Sequence, residues 1–139
     1  MANLLTVNYK QTGQSANHND MGMREMQARA YEARDAQYLL LKAPPASGKS
    51  RALMFLGLDK LHKQGLKKVI VAVPEMSIGG SFKDTNLTEH GFFADWAVEP
   101  RYNLCIPGGE AQKVKTLVGF MSDPTAKILV CTHATLRFA

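Results

Sequence analysis

Long apolar runs are missing from this chain of 139 residues. None approaches the ~18 residues that a membrane-spanning helix needs. Residues 1 to 20, MANLLTVNYKQTGQSANHND, also lack the basic flank and apolar centre of a secretory leader. Cysteine is scarce. Cys105 and Cys131 each sit inside an apolar stretch, which reads as buried free thiols in a reducing cytoplasm rather than a disulfide framework. Two isolated cysteines and four scattered histidines do not make a metal-ligand pattern. His18, His62 and His90 have no partner spacing, so a Ser-His-Asp site cannot be assembled. There is no internal repeat and no inter-domain linker, and the length suits one domain.

The composition is that of a globular protein, with 45% hydrophobic and 21% charged residues. Seventeen Lys+Arg against 12 Asp+Glu give a net charge of +5. A basic balance is compatible with a polyanionic partner and does not by itself establish one.

Residues 1 to 20 are rich in Asn, Gln, Ser, Thr and Gly and predict a flexible arm or an irregular cap. Residues 21 to 36 predict a helix, with Met23, Met26, Gln27, Ala30, Tyr31 and Ala33 on one broad face. YLLLKAP, 38 to 44, predicts a strand covered on both faces. Residues 50 to 65 predict a helix closed by Gly65, and LKKVIVAVP, 66 to 74, a second buried strand. Strand, turn, helix and strand in that order predict a βαβ unit with parallel strands.

The second half alternates less regularly. A loop and short helix are expected over 74 to 82, then an irregular stretch over 83 to 100 anchored by Phe92, Phe93 and Trp96. Strands are expected over 101 to 107 and 126 to 133, with a helix over 108 to 123 between them. Lys60, His62, Lys63, Lys67 and Lys68 predict a solvated basic face at the end of the first crossover helix. The fold class is therefore α/β with a mostly parallel sheet.

KAPPASGKS, 42 to 50, carries the chemistry. A phosphate loop has the pattern G-x-x-x-x-G-K-[ST] between a strand and a helix. Ala43, Pro44, Pro45, Ala46, Ser47, Gly48, Lys49 and Ser50 match it everywhere except at Ala43, where glycine is usual. Gly48 lets the backbone approach phosphate, and N–H groups from 46 to 50 can form an oxyanion cradle. The helix start adds its positive dipole end beside Arg51. Lys49 supplies a charge for the β and γ phosphates, and the Ser50 hydroxyl can ligate Mg²⁺.

With that loop placed, residues 23 to 137 resemble the first RecA-like domain of superfamily two helicases and translocases, which include DEAD-box and DEAH-type enzymes and restriction-enzyme motor subunits. MREMQARA is similar to the family's R-x-x-Q element, whose Gln, here Gln27, reads adenine. APPASGKS is similar to its A-x-T-G-x-G-K-[ST] loop, with Pro45 where Thr is usual. VIVAVPEMSIGGSF is similar to the element whose loop touches single-stranded nucleic acid, which would engage Pro74, Glu75 and Ser77. PGGEAQ and VCTHATL are similar to its Gly-Gly and T-x-x-x-L elements. They would bring Gly108, Gly109, Gln112, Thr132 and His133 to the same strand. The resemblance implies a three-layer αβα P-loop domain over 21 to 139, ATP and Mg²⁺ as cofactors, and DNA or RNA as a sequence-independent partner.

The family's D-E-x-x and Ser-Ala-Thr motifs are not found after the loop. The second RecA-like domain, which supplies the arginine finger, is not found either. The expectation is an amino-terminal piece of a motor, with the remainder of that motor as its partner, which binds ATP and turns little of it over. A nucleotide or small-molecule kinase is the alternative, since a kinase loop often reads G-P-P-G-S-G-K-S. A non-enzymatic module with a degenerate loop is the third reading.

Overall fold

The computed structural model describes residues 4–8, 20–44 and 47–138. It is mixed α/β, with strands paired in parallel. The chain forms two compact units. One takes residues up to Asp59 with Asn86–Asp95, and the other takes Lys60–Thr85 and Trp96–Ala139.

In the first unit, strand β1 (Leu4–Asn8) runs parallel to β2 (Tyr38–Lys42), with Leu4 opposite Tyr38 and Asn8 opposite Lys42. Part of the expected amino-terminal arm is thus a strand; its other residues before Asp20 lie outside the described residues. The expectation that β2 is covered on both faces is corrected. Tyr38, Leu40 and Lys42 are exposed, and the alternate residues Leu39 and Leu41 are half-buried. A continuous apolar run does not distinguish a doubly covered strand from one with a single packed face.

Helix α1 (Glu25–Glu32) buries Met26, Gln27, Ala30 and Tyr31, the residues its periodicity selects. Helix α2 (Lys49–His62) buries Ala52, Met54, Phe55, Leu56 and Leu58. The Phe92 ring packs against Phe55 at 4.7 Å and edge-on to Tyr31 at 5.9 Å, so the Asn86–Asp95 segment closes this core. Phe92 is an anchor as expected, whereas Phe93 stays 38% exposed.

Tyr31 also donates its hydroxyl hydrogen bond to Asp59 Oδ1 at 2.7 Å, and Arg34 lies 3.7 Å from Asp59 Oδ2. A buried carboxylate needs such partners. Together they join α1 to α2.

In the second unit, β3 (Val69–Val73) pairs in parallel with β4 (Ile128–Thr132), with Val73 opposite Thr132. Every residue of β4 is buried. Helix α4 (Glu110–Ser122) packs Leu117 and Phe120 into a core with Tyr102, Leu104, Ala126, Leu129 and Cys131. The short helix α3 (Met76–Gly79) follows β3. Trp96 is an anchor as expected; it is 1% exposed and donates its indole N–H to the Phe82 carbonyl at 2.9 Å.

Three more expectations are corrected. Among the described residues, β2 and β3 share no ladder; the parallel pairs are β1–β2 and β3–β4. Residues 101 to 107 are not a strand. A 3-10 turn occupies Pro100–Tyr102, and only an isolated bridge joins Asn103 to Val130. Pro100 starts that turn, and the Asn103 side chain accepts the Cys105 N–H at 3.2 Å. An Asn that bonds its own neighbouring backbone competes with a ladder. Lys68 does not join the solvated basic face. Its ammonium donates to the carbonyls of Asp123 at 2.6 Å and Ala126 at 2.9 Å and lies over the Phe120 ring.

Helix α5 (His133–Arg137) ends the described chain. Both cysteines are free thiols, as expected, although only Cys131 is fully buried. Among the described residues, no helix is long and apolar enough to cross a membrane.

Candidate functional site

The loop of interest leaves β2 at Lys42 and enters α2 at Lys49. Ala43 and Pro44 are half-buried, and Pro45 and Ala46 lie outside the described residues. Ser47 is buried and donates its hydroxyl hydrogen bond to the Pro44 carbonyl at 2.6 Å, which pins the loop across its own turn.

Gly48 has φ +95°, a conformation that L side chains rarely adopt. Its carbonyl accepts the Ala52 N–H at 3.0 Å, the first turn of α2. The same carbonyl accepts Gln27 Nε2 at 3.0 Å, and a Cβ on Gly48 would overlap that nitrogen. Glycine is therefore required here twice, by dihedral angle and by close approach.

Gln27 is 2% exposed, and its Oε1 accepts the Arg24 N–H at 2.8 Å. The amide thus clamps the loop to the start of α1. A glutamine amide carries two N–H donors and two oxygen lone pairs, so one donor and one acceptor remain for a further partner.

Lys49 is exposed at the mouth of the loop, and Ser50 and Arg51 are half-buried. The N–H groups of a helix's first turn have no partner within the helix and carry its positive dipole end. Among the described residues, no group of three or more His, Cys, Asp or Glu side chains could hold a metal.

The second group of expected residues lies in the other unit. Because Val73 is opposite Thr132 in a parallel ladder, Pro74 and His133 leave the same end of the β3–β4 pair. Pro74, Glu75, Ser77 and His133 are exposed there. Thr132 is 9% exposed, and its Oγ1 accepts the Thr135 N–H at 3.3 Å as the cap of α5.

The buried Thr135 hydroxyl donates to Glu110 Oε1 at 2.6 Å. That bond ties the start of α4, with exposed Gly108, Gly109 and Gln112, to the start of α5. Pro74 and His133 thus leave one end of the β3–β4 pair, and the Glu110–Thr135 bond ties the start of α4 to the start of α5 there.

Sequence reasoning missed Glu110, Thr135 and Asp59 as organising residues. Thr132 and Thr135, three apart at a strand-to-helix junction, carried a capping signal that was readable. Glu110 and Asp59 carried none, because their partners are distant in sequence.

Compared with known proteins, the chain is 63% identical over its full 139 residues to "Putative ATP-dependent helicase YeeB" of Bacillus subtilis (strain 168). It spans 23% of that protein's length. No protein-family profile matches the chain, and no solved structure does.

Proposed function

We propose that the chain is the ATP-binding segment of a nucleic-acid helicase or translocase with a RecA-like P-loop fold. The observation that carries this reading is the Gly48 turn. It is a left-handed glycine between a strand and a largely buried helix, followed by Lys49 and Ser50 and clamped by Gln27. The 63% identity to a segment of a protein named as an ATP-dependent helicase supports the same reading.

In this proposal the backbone N–H groups around Gly48 and the first turn of α2 hold the phosphates. Lys49 is the catalytic cation, drawing charge from the β and γ phosphates. Ser50 and the phosphates hold Mg²⁺, which supplies charge neutralisation when bound. The free donor and acceptor of Gln27 match the adenine edge, which offers one acceptor and one donor. Arg51 flanks the loop within the first turn.

Pro74, Glu75, Ser77, Gly108, Gly109, Gln112 and His133 form the strand-binding face, and Thr132 shapes it through its cap. Contacts from small residues and backbone suit a single strand of DNA or RNA read without regard to sequence. The 139 residues contain no D-E-x-x tetrad to activate water. Binding without appreciable turnover is the expected behaviour of the chain by itself.

The test is a titration of the purified chain with a fluorescent ATP analogue and Mg²⁺. Lys49→Ala is expected to weaken binding by roughly ten- to a hundredfold, the value of a charged hydrogen bond. Unchanged affinity in Lys49→Ala would sink the phosphate-loop reading. Hydrolysis at the rate of an intact helicase would sink the claim of binding without turnover.

A further inference from the structure

We infer that Lys67 and Lys127, flanked by Lys63, form a second contact surface for the phosphate backbone of nucleic acid, at the end of the β3–β4 pair away from the strand-binding face. The charge of the chain is not shared between its two units. The unit of residues 60–85 and 96–139 carries ten Lys and Arg against five Asp and Glu, so it holds the whole excess of +5. The other unit has seven of each sign and is neutral. Such asymmetry marks the unit that a polyanion would meet.

Backbone hydrogen bonds place the cations. Val69 stands opposite Ile128 in the ladder, and its N–H donates to the Lys127 carbonyl at 2.8 Å. Lys67 and Lys127 therefore lie at the amino ends of β3 and β4. The Leu66 N–H donates to the Lys60 carbonyl at 2.9 Å, which folds the end of α2, and Lys63 after it, back toward that end. Lys63, Lys67 and Lys127 are exposed. Pro74 and His133 leave the opposite ends, about 16 Å away along strands of five residues.

The other lysines of this region have roles within the fold. Lys60 and Lys63 complement the carboxyl end of the α2 dipole. Lys68 is bonded to the carbonyls of Asp123 and Ala126. Lys67 and Lys127 serve neither purpose. The five carboxylates of the unit are directed elsewhere. Glu75 accepts the Ser77 hydroxyl, Asp84 accepts the Val98 N–H, and Glu110 accepts the Thr135 hydroxyl. Glu99 and Asp123 both bind Arg101. The exposed positive charge at this end is thus left for an external anion. Lysine is depleted at protein–protein interfaces, and its point charge suits phosphates repeated along a backbone. The polyanion surface rests on this geometry; its assignment to nucleic acid rests on the helicase reading.

The experiment compares wild type with three double variants. These are Lys67→Gln with Lys127→Gln, Lys67→Arg with Lys127→Arg, and the control Arg29→Gln with Lys83→Gln, which removes two exposed charges elsewhere. Each is titrated over a series of salt concentrations with a fluorescein-labelled oligothymidylate and with polyglutamate, and once with a fluorescent ATP analogue. The Lys67/Lys127 glutamine pair is expected to weaken oligonucleotide binding about tenfold. It should flatten the salt slope by about 1.4, two phosphate contacts at about 0.7 each on a single strand. The arginine pair should retain binding, and the control should change it less than twofold. The melting temperature and the ATP-analogue affinity should stay at wild-type values, as for exposed substitutions away from the loop.

Equal affinity and slope in wild type and the Lys67/Lys127 glutamine pair would overturn the surface and leave the helicase reading standing. An equal loss in the control pair would also overturn it, because net charge alone would then account for binding. Polyglutamate bound in preference to the oligonucleotide, with dependence on Lys67 and Lys127, would reject nucleic acid in favour of an acidic protein. Binding of neither polyanion by wild type would overturn this surface and the strand-binding face together, while the ATP analogue still reports on the loop.

Discussion

Replacing Gly48 by alanine is expected to cost the first unit about 2–4 kcal/mol and to weaken nucleotide binding by roughly a hundredfold or more. Two causes add. Alanine at φ +95° is strained by about 1–3 kcal/mol, and its Cβ would overlap Gln27 Nε2. If Gln27 moves away, the Gly48 carbonyl loses a donor worth about 1 kcal/mol.

A double-mutant cycle separates these causes. Gln27→Ala alone should lose about 1 kcal/mol, the value of its hydrogen bond. In the double mutant the overlap is gone, so the combined loss should fall short of the sum by about 1 kcal/mol. Urea melts read the stability, and a fluorescent ATP analogue reads the binding. Wild-type values for both in Gly48→Ala would refute the assigned loop geometry.

The second large effect lies away from the loop. Asp59 is 1% exposed and accepts the Tyr31 hydroxyl at 2.7 Å. Asp59→Ala is expected to destabilise by about 2–4 kcal/mol, because it leaves the buried Tyr31 hydroxyl without this acceptor and opens a small cavity. Asp59→Asn keeps an acceptor and the shape, so it should lose less.

The pair also predicts an alkaline limit. Burial, then the hydrogen bond to Asp59 and its charge, push the Tyr31 pKa from 10.0 up to about 12. The folded state then holds this proton where the unfolded chain releases it. The contribution is complete below pH 10 and is lost as pH rises through 12, with a span on the order of 2 kcal/mol. Tyr31→Phe should flatten that arm of the stability curve measured by urea melts from pH 9 to 12. A wild-type arm as flat as that of Tyr31→Phe would show that Tyr31 does not titrate late.

Local features explain which expectations the structure bears out. Helix α1 buried its predicted face because Met26, Gln27, Ala30 and Tyr31 recur at the helical period. The left-handed glycine at 65, with φ +73°, closed α2 where expected, because the Leu66 N–H reaches back to the Lys60 carbonyl at 2.9 Å. The glycine, lysine and serine of the loop stand out as a candidate because a phosphate loop would need those types in that order, and Gly48 does take the left-handed conformation.

Features that depend on distant partners were not legible. The strand at Leu4–Asn8 is a short LLTVN run inside a stretch otherwise rich in Asn, Gln, Ser and Thr, and it pairs with β2, more than 25 residues away. The stretch 101 to 107 had strand composition, yet Pro100 and Asn103 directed it into a turn. Periodicity reports how one element meets its surroundings; it says nothing of which strand lies beside it.

By itself, then, the sequence determined the helices α1, α2 and α4, the strands β2, β3 and β4 and the phosphate-loop candidate, because each depends on residues within a few positions. Tertiary structure decided which strands pair and that Gln27 grips the Gly48 carbonyl. It also decided that Thr135 binds Glu110 and that Lys113 is buried beside Met76. Those outcomes arise from hydrogen-bond satisfaction and burial between residues 21 or more positions apart, a separation over which no local pattern carries information.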